Sequence, residues 1–462
     1  MYKRQHIVPS GPLFRSAEFR NGAVYVSFDY GEGMHSADGK ALRTFEVAEI
    51  DGLFEPAIAE VENNCLKVYS KNLKSPRYVR YGWQPFTRAN LVNAAGLPAS
   101  TFRAEAISAY VNVVDIQAMK GFPEKDKNFA KGVSACYAGV TDGWLLIAGG
   151  CNFPKKSAKD GGSKEFYRDI YVTELSDDSV FFWRKVGEFP QPVAYGVSVS
   201  TSDGIVCVGG MNAEGTLNTV YRISMENDKK VLIEVLPSLP CALDNMSGCI
   251  LGNTVYIAGG NKDGKPSNVF YCLNLEKLLE GWQKLPDFPG LPRIQPVCAV
   301  QTDVTGRPAF YLWGGFAVGV GGSPASLSLD GYVYSPNSGK WTSLPAPVNR
   351  QGETISLGGG TAVAWGDSLI LCMGGVNKDI FLQALRKPAP DYLSHPVEWY
   401  RFNRFLLAYN THREKWQTIE CIPATARAGA ACVVWGKDLF YINGELKPGI
   451  RTPEITRIRL EK

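Results

Sequence analysis

One ten-residue segment near the C-terminus combines residue types that can perform acid–base chemistry. Residues 443–452 read NGELKPGIRT and place Glu445 six residues before Arg451, across a Pro-Gly turn. Such a turn can bring both side chains to one pocket, where the carboxylate would act as a general base and the guanidinium would hold an anion. The alternative is a solvated turn, because Glu and Arg are mostly surface residues.

Four further polar residues occupy corresponding places, each just before an apolar strand. They are Tyr195, Asn245, Arg293 and Arg427. A buried arginine is costly unless it meets an anion, and its guanidinium can bind a carboxylate through two hydrogen bonds. Arg293, Arg427 and Arg451 around one axis would therefore suit a ligand that carries a carboxylate.

The strands next to these residues repeat along the chain. Each is an apolar run that ends in a glycine pair: WLLIAGG, GIVCVGG, TVYIAGG, FYLWGG and LILCMGG, with DLFYING as a sixth copy that has Asn443 in place of the first glycine. A tryptophan strand and a proline follow in most units, as in GWQKLPDFP and KWTSLPAPV. This order is typical of kelch blades, whose period is about 50 residues.

The repeat predicts an all-β fold with a six-bladed kelch-type β-propeller over residues 106–462, because a four-stranded blade can bury both faces only in a ring. The last unit has room for three strands, so residues 106–123 are expected to supply its fourth and seal the ring from both ends. A ligand is expected at the propeller axis. The long loop 377–404 is partly helical in pattern and is expected to be functional or mobile.

Residues 1–105 differ in style and predict a small β-sandwich-like domain, since short segments such as AVYVSFDYGEG alternate apolar and polar residues. The stretches VPSGPLFRSAEFRNGAVYVSFDY and YVRYGWQPFTRANLVNAAGLPASTFR resemble the C-terminal β-domain of sialate O-acetylesterases. A catalytic domain precedes that module in the esterase family. The resemblance therefore implies that the chain is a truncated or partial product, and it does not imply esterase activity.

The bulk composition excludes several classes of function. The 462 residues carry 49 basic and 45 acidic side chains, a net charge of +4, which gives no electrostatic case for nucleic acid or an anionic membrane. No apolar run is long enough to cross a bilayer. The 11 cysteines and 4 histidines show no metal-ligand spacing, and we expect the cysteines to be small core residues rather than disulfides. We expect no metal and no cofactor.

The propeller resembles the N-acetylneuraminate epimerases, kelch enzymes also called sialic acid mutarotases. The resemblance covers about residues 111–462 and is carried by NGELKPGIRT, GGVNKDIF, FNRFLLAY and AYGVS. It implies that Glu445 is the proton acceptor and Arg451 the carboxylate ligand, and that the blade order is circularly permuted. One departure is Val193, where the family often has an arginine. The resemblance also implies a periplasmic location; the N-terminus has no signal-peptide pattern, so the cytoplasm stays open.

These observations predict a mutarotase that opens the pyranose of free sialic acid at its anomeric carbon and recloses it on the other face. Glu445 would take and return the anomeric proton, Arg451 with Arg293 and Arg427 would hold the carboxylate, and the acid is Tyr195 or a water. The expected partner is the small sugar acid, with no nucleic acid or membrane. Two alternatives remain open, a non-catalytic sialic acid receptor and a kelch scaffold that binds another protein.

Overall fold

The computed structural model describes residues 8–20, 22–49, 52–62, 65–74, 76–105, 111–123, 126–177, 180–319, 322 and 324–461. The chain divides into two compact units, Met1–Tyr110 and Val111–Lys462, and this boundary falls five residues after the one predicted from the sequence. Residues 106–110, which the sequence assigns to the sealing strand, lie outside the described residues.

The first unit contains two four-stranded antiparallel sheets that share one hydrophobic cluster, to which Val24, Leu66, Phe45 and Tyr81 belong. A short pair, His35–Ser36 with Leu91–Val92, lies beside them. The strands of the two sheets, in spatial order, are Leu13–Arg20, Ala23–Asp29, Cys65–Tyr69 and Ile58–Glu62, and then Phe102–Glu105, Tyr78–Tyr81, Phe45–Ala48 and Glu55–Pro56.

The second unit contains six four-stranded antiparallel sheets, here numbered 1 to 6 along the chain. Sheet 1 has Tyr137–Thr141, Trp144–Ala148, Asp169–Glu174 and Arg184–Glu188; sheet 2 has Val197–Thr201, Gly204–Val208, Val220–Asn227 and Lys230–Val235; sheet 3 has Ser247–Leu251, Thr254–Ala258, Phe270–Asn274 and Gln283–Leu285. Sheet 4 has Val297–Thr302, Pro308–Trp313, Gly331–Ser335 and Lys340–Leu344; sheet 5 has Gly360–Trp365, Leu369–Gly374, Phe405–Asn410 and Lys415–Cys421; sheet 6 has Ala431–Trp435, Asp438–Ile442, Ile455–Glu461 and Asn112–Met119.

The second strand of each sheet is the apolar run that ends in a glycine pair. All residues of Leu369–Gly374 and Gly204–Val208 are buried, which explains why these strands lack the usual alternation of apolar and polar residues. Cys207 and Cys372 lie inside them as buried free thiols, as the sequence predicts.

The glycine pair is required by backbone conformation. The first position has φ near the left-handed helical region, 63° at Gly149 and 51° at Asn443, and asparagine tolerates that region. The second position has φ of 101° at Gly444, where an added Cβ would also lie 2.8 Å from Cβ of Ala430. Asparagine can therefore replace the first glycine, whereas the second position requires glycine.

A closed ring of backbone hydrogen bonds links the six sheets. One residue just before each first strand has a positive φ, and its N–H donates to the carbonyl of the corresponding residue in the preceding sheet, at 2.7 to 3.1 Å. The N–H of Ala135 in turn donates to Gly429 O at 2.8 Å and closes the cycle. The members of this axial ring are Ala135, Tyr195, Asn245, Gln295, Gly359 and Gly429. The axial ring and the beginnings of the first strands line a central cavity of about 210 Å³.

Sheet 6 combines strands from the two ends of this unit, because Asn112–Met119 pairs with Ile455–Glu461. A polar network then joins sheet 6 to sheet 1. Asp438, which is 3% exposed, accepts hydrogen bonds from Arg457 at 2.6 Å and from Arg459 at 2.9 Å, and both arginines also contact Asp177.

Helices are few and short. The longest in the described residues is Lys378–Arg386, and the 3₁₀ turns are Phe129–Lys131, Ala158–Asp160, Leu278–Glu280, Tyr392–Ser394, Val397–Tyr400 and Pro423–Thr425. Among the residues that the structure describes, none of the helices has the length and apolar character needed to cross a membrane.

Candidate functional site

A second set of corresponding residues surrounds the mouth of the axial ring. Each follows a glycine pair and hydrogen-bonds to the segment just before the first strand of its own sheet. Glu445 is the member from sheet 6, so the fold places it in the wall around the axis. The set consists of Cys151, Met211, Asn261, Phe316, Val376 and Glu445.

Glu445 and Arg451 lie opposite each other on a short hairpin, Glu445–Lys447 with Ile450–Arg451. Oε1 of Glu445 accepts hydrogen bonds from Nη1 of Arg451 at 2.6 Å and from the N–H of Gly449 at 2.8 Å. Within the described residues no hydrogen bond reaches Oε2. The carboxylate is 24% exposed, so one oxygen is fixed by protein donors while the other is left for a ligand.

Arg451 connects the hairpin to sheet 1. Its side chain is only 5% exposed, its Nε donates to Oγ of Ser134 at 3.0 Å, and its guanidinium lies 5.1 Å from the ring centre of Phe153. Burial disfavours the charged guanidinium, but the neighbouring Glu445 carboxylate outweighs burial and raises the pKa of Arg451. Arg451 is therefore a fixed cation beside the axis, since Ser134 directly precedes Ala135 of the axial ring.

Tyr195 reaches the same corner from sheet 2. Its hydroxyl accepts a hydrogen bond from Nζ of Lys164 at 2.8 Å and one from Sγ of Cys151 at 3.5 Å, and it interacts with Arg451. Burial is the main cause that raises the pKa of the Tyr195 hydroxyl well above its usual value, while Arg451 opposes the shift. The sequence analysis did not identify Lys164 or Cys151 as site residues. Cys151 occupies the place in sheet 1 that Glu445 occupies in sheet 6, which is a usable signal; Lys164 lies in an irregular loop and has none.

Asn245 belongs to the axial ring between sheets 2 and 4. Its backbone N–H donates to Tyr195 O at 2.7 Å, its side-chain amide donates to Asp244 at 2.7 Å, and its side-chain oxygen accepts from Gln295 at 2.6 Å. Asp244 also accepts from Asn261 at 2.8 Å. This polar set forms the side of the mouth that is contributed by sheets 3 and 4.

Arg293 and Arg427 differ from the expectation that they hold a ligand carboxylate. Arg293 is 0% exposed and donates to both oxygens of Asp330 at 2.8 and 3.0 Å, and Arg427 is 1% exposed and donates to Glu454 and Thr456. Each guanidinium thus links the segment before the first strand of its sheet to the residue that directly precedes the third strand. These are structural ion pairs, because burial is tolerable only with such partners.

Comparison with Arg293 also explains Val193, the position where the family often has an arginine. It precedes Tyr195 by two residues, as Arg293 precedes Gln295, and the carbonyls of both residues accept from the second glycine of the preceding sheet. The Val193 side chain is 4% exposed and packs in the apolar cluster between sheets 1 and 2. An arginine at this position would therefore be a buried structural residue like Arg293, so its replacement by valine does not remove a cation from the mouth.

The long insert of sheet 5 lies against the Glu445 hairpin. After the helix Lys378–Arg386 it continues into two 3₁₀ turns, of which Val397–Tyr400 contacts Glu445–Lys447 and Tyr392–Ser394 contacts Ala158–Asp160 of sheet 1. Nζ of Lys447 donates to the carbonyl of His395. The inserts of sheets 5 and 1 therefore meet beside the ion pair and restrict the access of solvent to it.

The second unit is thus all-β, and beside its ring of backbone hydrogen bonds it holds a carboxylate–guanidinium pair, the combination that proton transfer and anion binding require. The family model described as N-acetylneuraminate epimerase matches residues 90–233 and 236–462. The chain belongs to the N-acetylneuraminate epimerase family.

Individual relatives agree with this assignment. The N-acetylneuraminate epimerase of Haemophilus influenzae (strain PittEE) is 33% identical over 234 residues, which are 48% of this chain and 58% of the relative. That of Salmonella enteritidis PT4 (strain P125109) is 31% identical over 236 residues, 48% of this chain and 57% of the relative. These matches thus span little more than half the length of each relative. A solved structure titled "Structure of YjhT" aligns with a TM-score of 0.42 and 26% identity, over 49% of this chain and 67% of that one.

Proposed function

We propose that the chain is a mutarotase that interconverts the α and β anomers of free N-acetylneuraminate. The relatives are named N-acetylneuraminate epimerases, and the site supplies what this reaction needs. Ring opening requires a base for the anomeric hydroxyl proton and an acid for the ring oxygen, and a carboxylate substrate requires a cation. The reaction transfers protons and breaks and re-forms the C2–O6 bond without a change of oxidation state, so acid–base side chains suffice and neither a metal nor an organic cofactor is needed.

Glu445 is the proposed base. The observation that carries the proposal is the asymmetry of its carboxylate: Oε1 is held by Arg451 and Gly449, whereas no described residue occupies Oε2. The fixed oxygen orients the group, and the free oxygen takes the proton from the anomeric hydroxyl at C2. Once the ring has opened to the ketone and reclosed on the other face, the same oxygen returns the proton.

Arg451 is the proposed ligand of the substrate carboxylate. A guanidinium has five N–H donors; Glu445 and Ser134 use two of them, and Arg451 also interacts with the Tyr195 hydroxyl. The remaining donors can meet the C1 carboxylate next to C2, which places the anomeric centre beside Glu445. Tyr195 and Asn245 are proposed substrate contacts at the mouth. Arg293 and Arg427 are omitted from the proposed site because their donors are taken by Asp330 and Glu454.

The six sheets are proposed to be the blades of a circularly permuted kelch-type propeller, with residues 1–105 as a separate β-sandwich-like domain. The closed hydrogen-bond ring and the pairing of Asn112–Met119 with Ile455–Glu461 support this architecture. A periplasmic location is the proposal that follows from the family.

The activity is tested by proton NMR of α-N-acetylneuraminate freshly released from a glycoside. The proposal expects the α signal to decay faster in proportion to protein concentration. Line broadening from binding, without faster anomer exchange, would favour a sialic acid receptor instead. If neither binding nor exchange is observed, a protein-binding scaffold becomes the better description.

A further inference from the structure

We propose that Tyr195 is the general acid of this site and that Lys164 is the positioning residue which prepares it. The inference rests on the proposed function and adds the missing proton donor to it. Tyr195 is fixed from behind by the axial ring, where its N–H donates to Ala135 O at 2.9 Å and its carbonyl accepts from Asn245 N at 2.7 Å. Its hydroxyl lies in the same corner as Arg451 and Cys151.

The hydrogen bonds around Tyr195 leave its proton available. The Tyr195 oxygen accepts hydrogen bonds from Lys164 at 2.8 Å and from Cys151 at 3.5 Å, and it also interacts with the guanidinium of Arg451. The ammonium of Lys164 has no hydrogen to accept and can only donate. The single hydrogen of the Cys151 thiol can instead be donated to the carbonyl of Ser134 at 3.8 Å, so a thiol sulfur is the weak acceptor that the protein offers to the phenol hydrogen. A ligand oxygen on the Glu445 side of Tyr195 would be the stronger acceptor.

The charges around Tyr195 favour proton release once a substrate is bound. The hydroxyl is neutral in the resting protein because burial raises its pKa. When the proton leaves, the phenolate faces two cations, Lys164 at 2.8 Å and the guanidinium of Arg451. Fixed cations aimed at a developing negative charge stabilise the transition state more than the ground state. Lys164 also lies 4.8 Å from the Tyr195 ring centre, so it restricts the ring as well as the hydroxyl.

The proton transfers balance. In the opening step Oε2 of Glu445 takes the proton of the C2 hydroxyl, the C2–O6 bond breaks with its electron pair on O6, and O6 takes the proton of Tyr195, which leaves the C2 ketone and a phenolate. In the closing step the O6 hydroxyl attacks the other face of C2 and returns its proton to the phenolate, while the new C2 oxygen takes the proton from Glu445.

The test compares kcat and KM for anomer exchange in variants of the full chain. Tyr195→Phe is expected to lower kcat by about 10²-fold or more with KM little changed. Lys164→Met is expected to lower kcat, Lys164→Arg to restore part of it, and the neighbouring exposed Lys156→Met to behave as wild type. In the Tyr195→Phe background, Lys164→Met should have no further effect, because Lys164 acts through the hydroxyl.

Three results with the variants would overturn the assignment. Full activity in Tyr195→Phe would show that Tyr195 is not the general acid. A raised KM with unchanged kcat in Lys164→Met would make Lys164 a substrate-carboxylate ligand. Additive losses in the double variant would separate Lys164 from Tyr195. A wild-type chain without exchange activity would remove the proposed function and the acid together, whereas an active wild type with a fully active Tyr195→Phe removes the acid alone.

Discussion

Arg451 donates from Nη1 to Oε1 of Glu445 at 2.6 Å while its Nε donates to Ser134 of sheet 1 at 3.0 Å. The base and the cation of the proposed site are therefore held as one unit that spans the junction between the last and first sheets. The proposed reaction centre therefore lies at the junction where sheet 6 meets sheet 1. This geometry also links the activity of the site to the integrity of that junction.

Replacing Arg451 by lysine tests its role in substrate binding. Lysine keeps the positive charge but cannot form the planar fork that a carboxylate and Ser134 share. We expect KM for N-acetylneuraminate to rise by about ten- to a hundredfold, which corresponds to the loss of one charged hydrogen bond. The measurement is kcat and KM from the rate of anomer exchange at several substrate concentrations. An unchanged KM would remove Arg451 from the carboxylate site.

Replacing Arg293 by methionine tests the assignment of Arg293 to structure rather than to ligand binding. The change leaves Asp330 and two carbonyls without their donor, so we expect the free energy of unfolding to fall by about 2–3 kcal/mol. KM and kcat should stay close to wild type at a temperature where the variant is folded. Chemical denaturation and the anomer-exchange assay provide the two readouts. A large rise in KM would return Arg293 to the site.

The ion pair of Asp330 predicts a pH dependence of stability. Burial raises the pKa of Asp330, but its hydrogen bonds with Arg293 and Tyr332 outweigh burial and hold the pKa below its usual value. The stabilisation is therefore complete above the unfolded-state pKa of about 3.9 and is lost as the pH falls through the lower folded-state value. Asp330→Asn should be less stable than wild type at pH 7, and the difference should shrink toward pH 3. A difference that grows on acidification would contradict this sign.

The hydrogen bonds of Asp438 are predicted to stabilise the contact between sheet 6 and sheet 1. Asp438→Asn would leave Arg457, which is 3% exposed, without its closest carboxylate, and we expect the free energy of unfolding to fall by about 3 kcal/mol. Asp203→Asn, in an exposed turn, is the matched control and should be neutral. Urea denaturation followed by tryptophan fluorescence compares the three proteins. Equal midpoints would mean that the network does not stabilise the closure.

The sequence predicted the repeat well because backbone conformation imposes glycine at one place in every sheet. It also predicted that Glu445 and Arg451 face one pocket, and in the structure they form an ion pair. The positions of Arg293 and Arg427 were predicted but their partners were not, because Asp330 and Glu454 lie in irregular loops before third strands. Lys164 reaches Tyr195 from a loop whose course follows no repeat, so no spacing in the sequence indicates it.

The most direct test of the proposed base is the rate of anomer exchange in Glu445→Gln, measured by NMR beside wild type and the matched control Glu398→Gln, an exposed residue of the sheet 5 insert. Glutamine can still accept from Arg451 and Gly449, so the hairpin should keep its structure, but the side chain cannot take a proton. We predict that kcat falls by at least about 10²-fold in Glu445→Gln and stays at the wild-type value in Glu398→Gln. Wild-type exchange in Glu445→Gln would contradict the account.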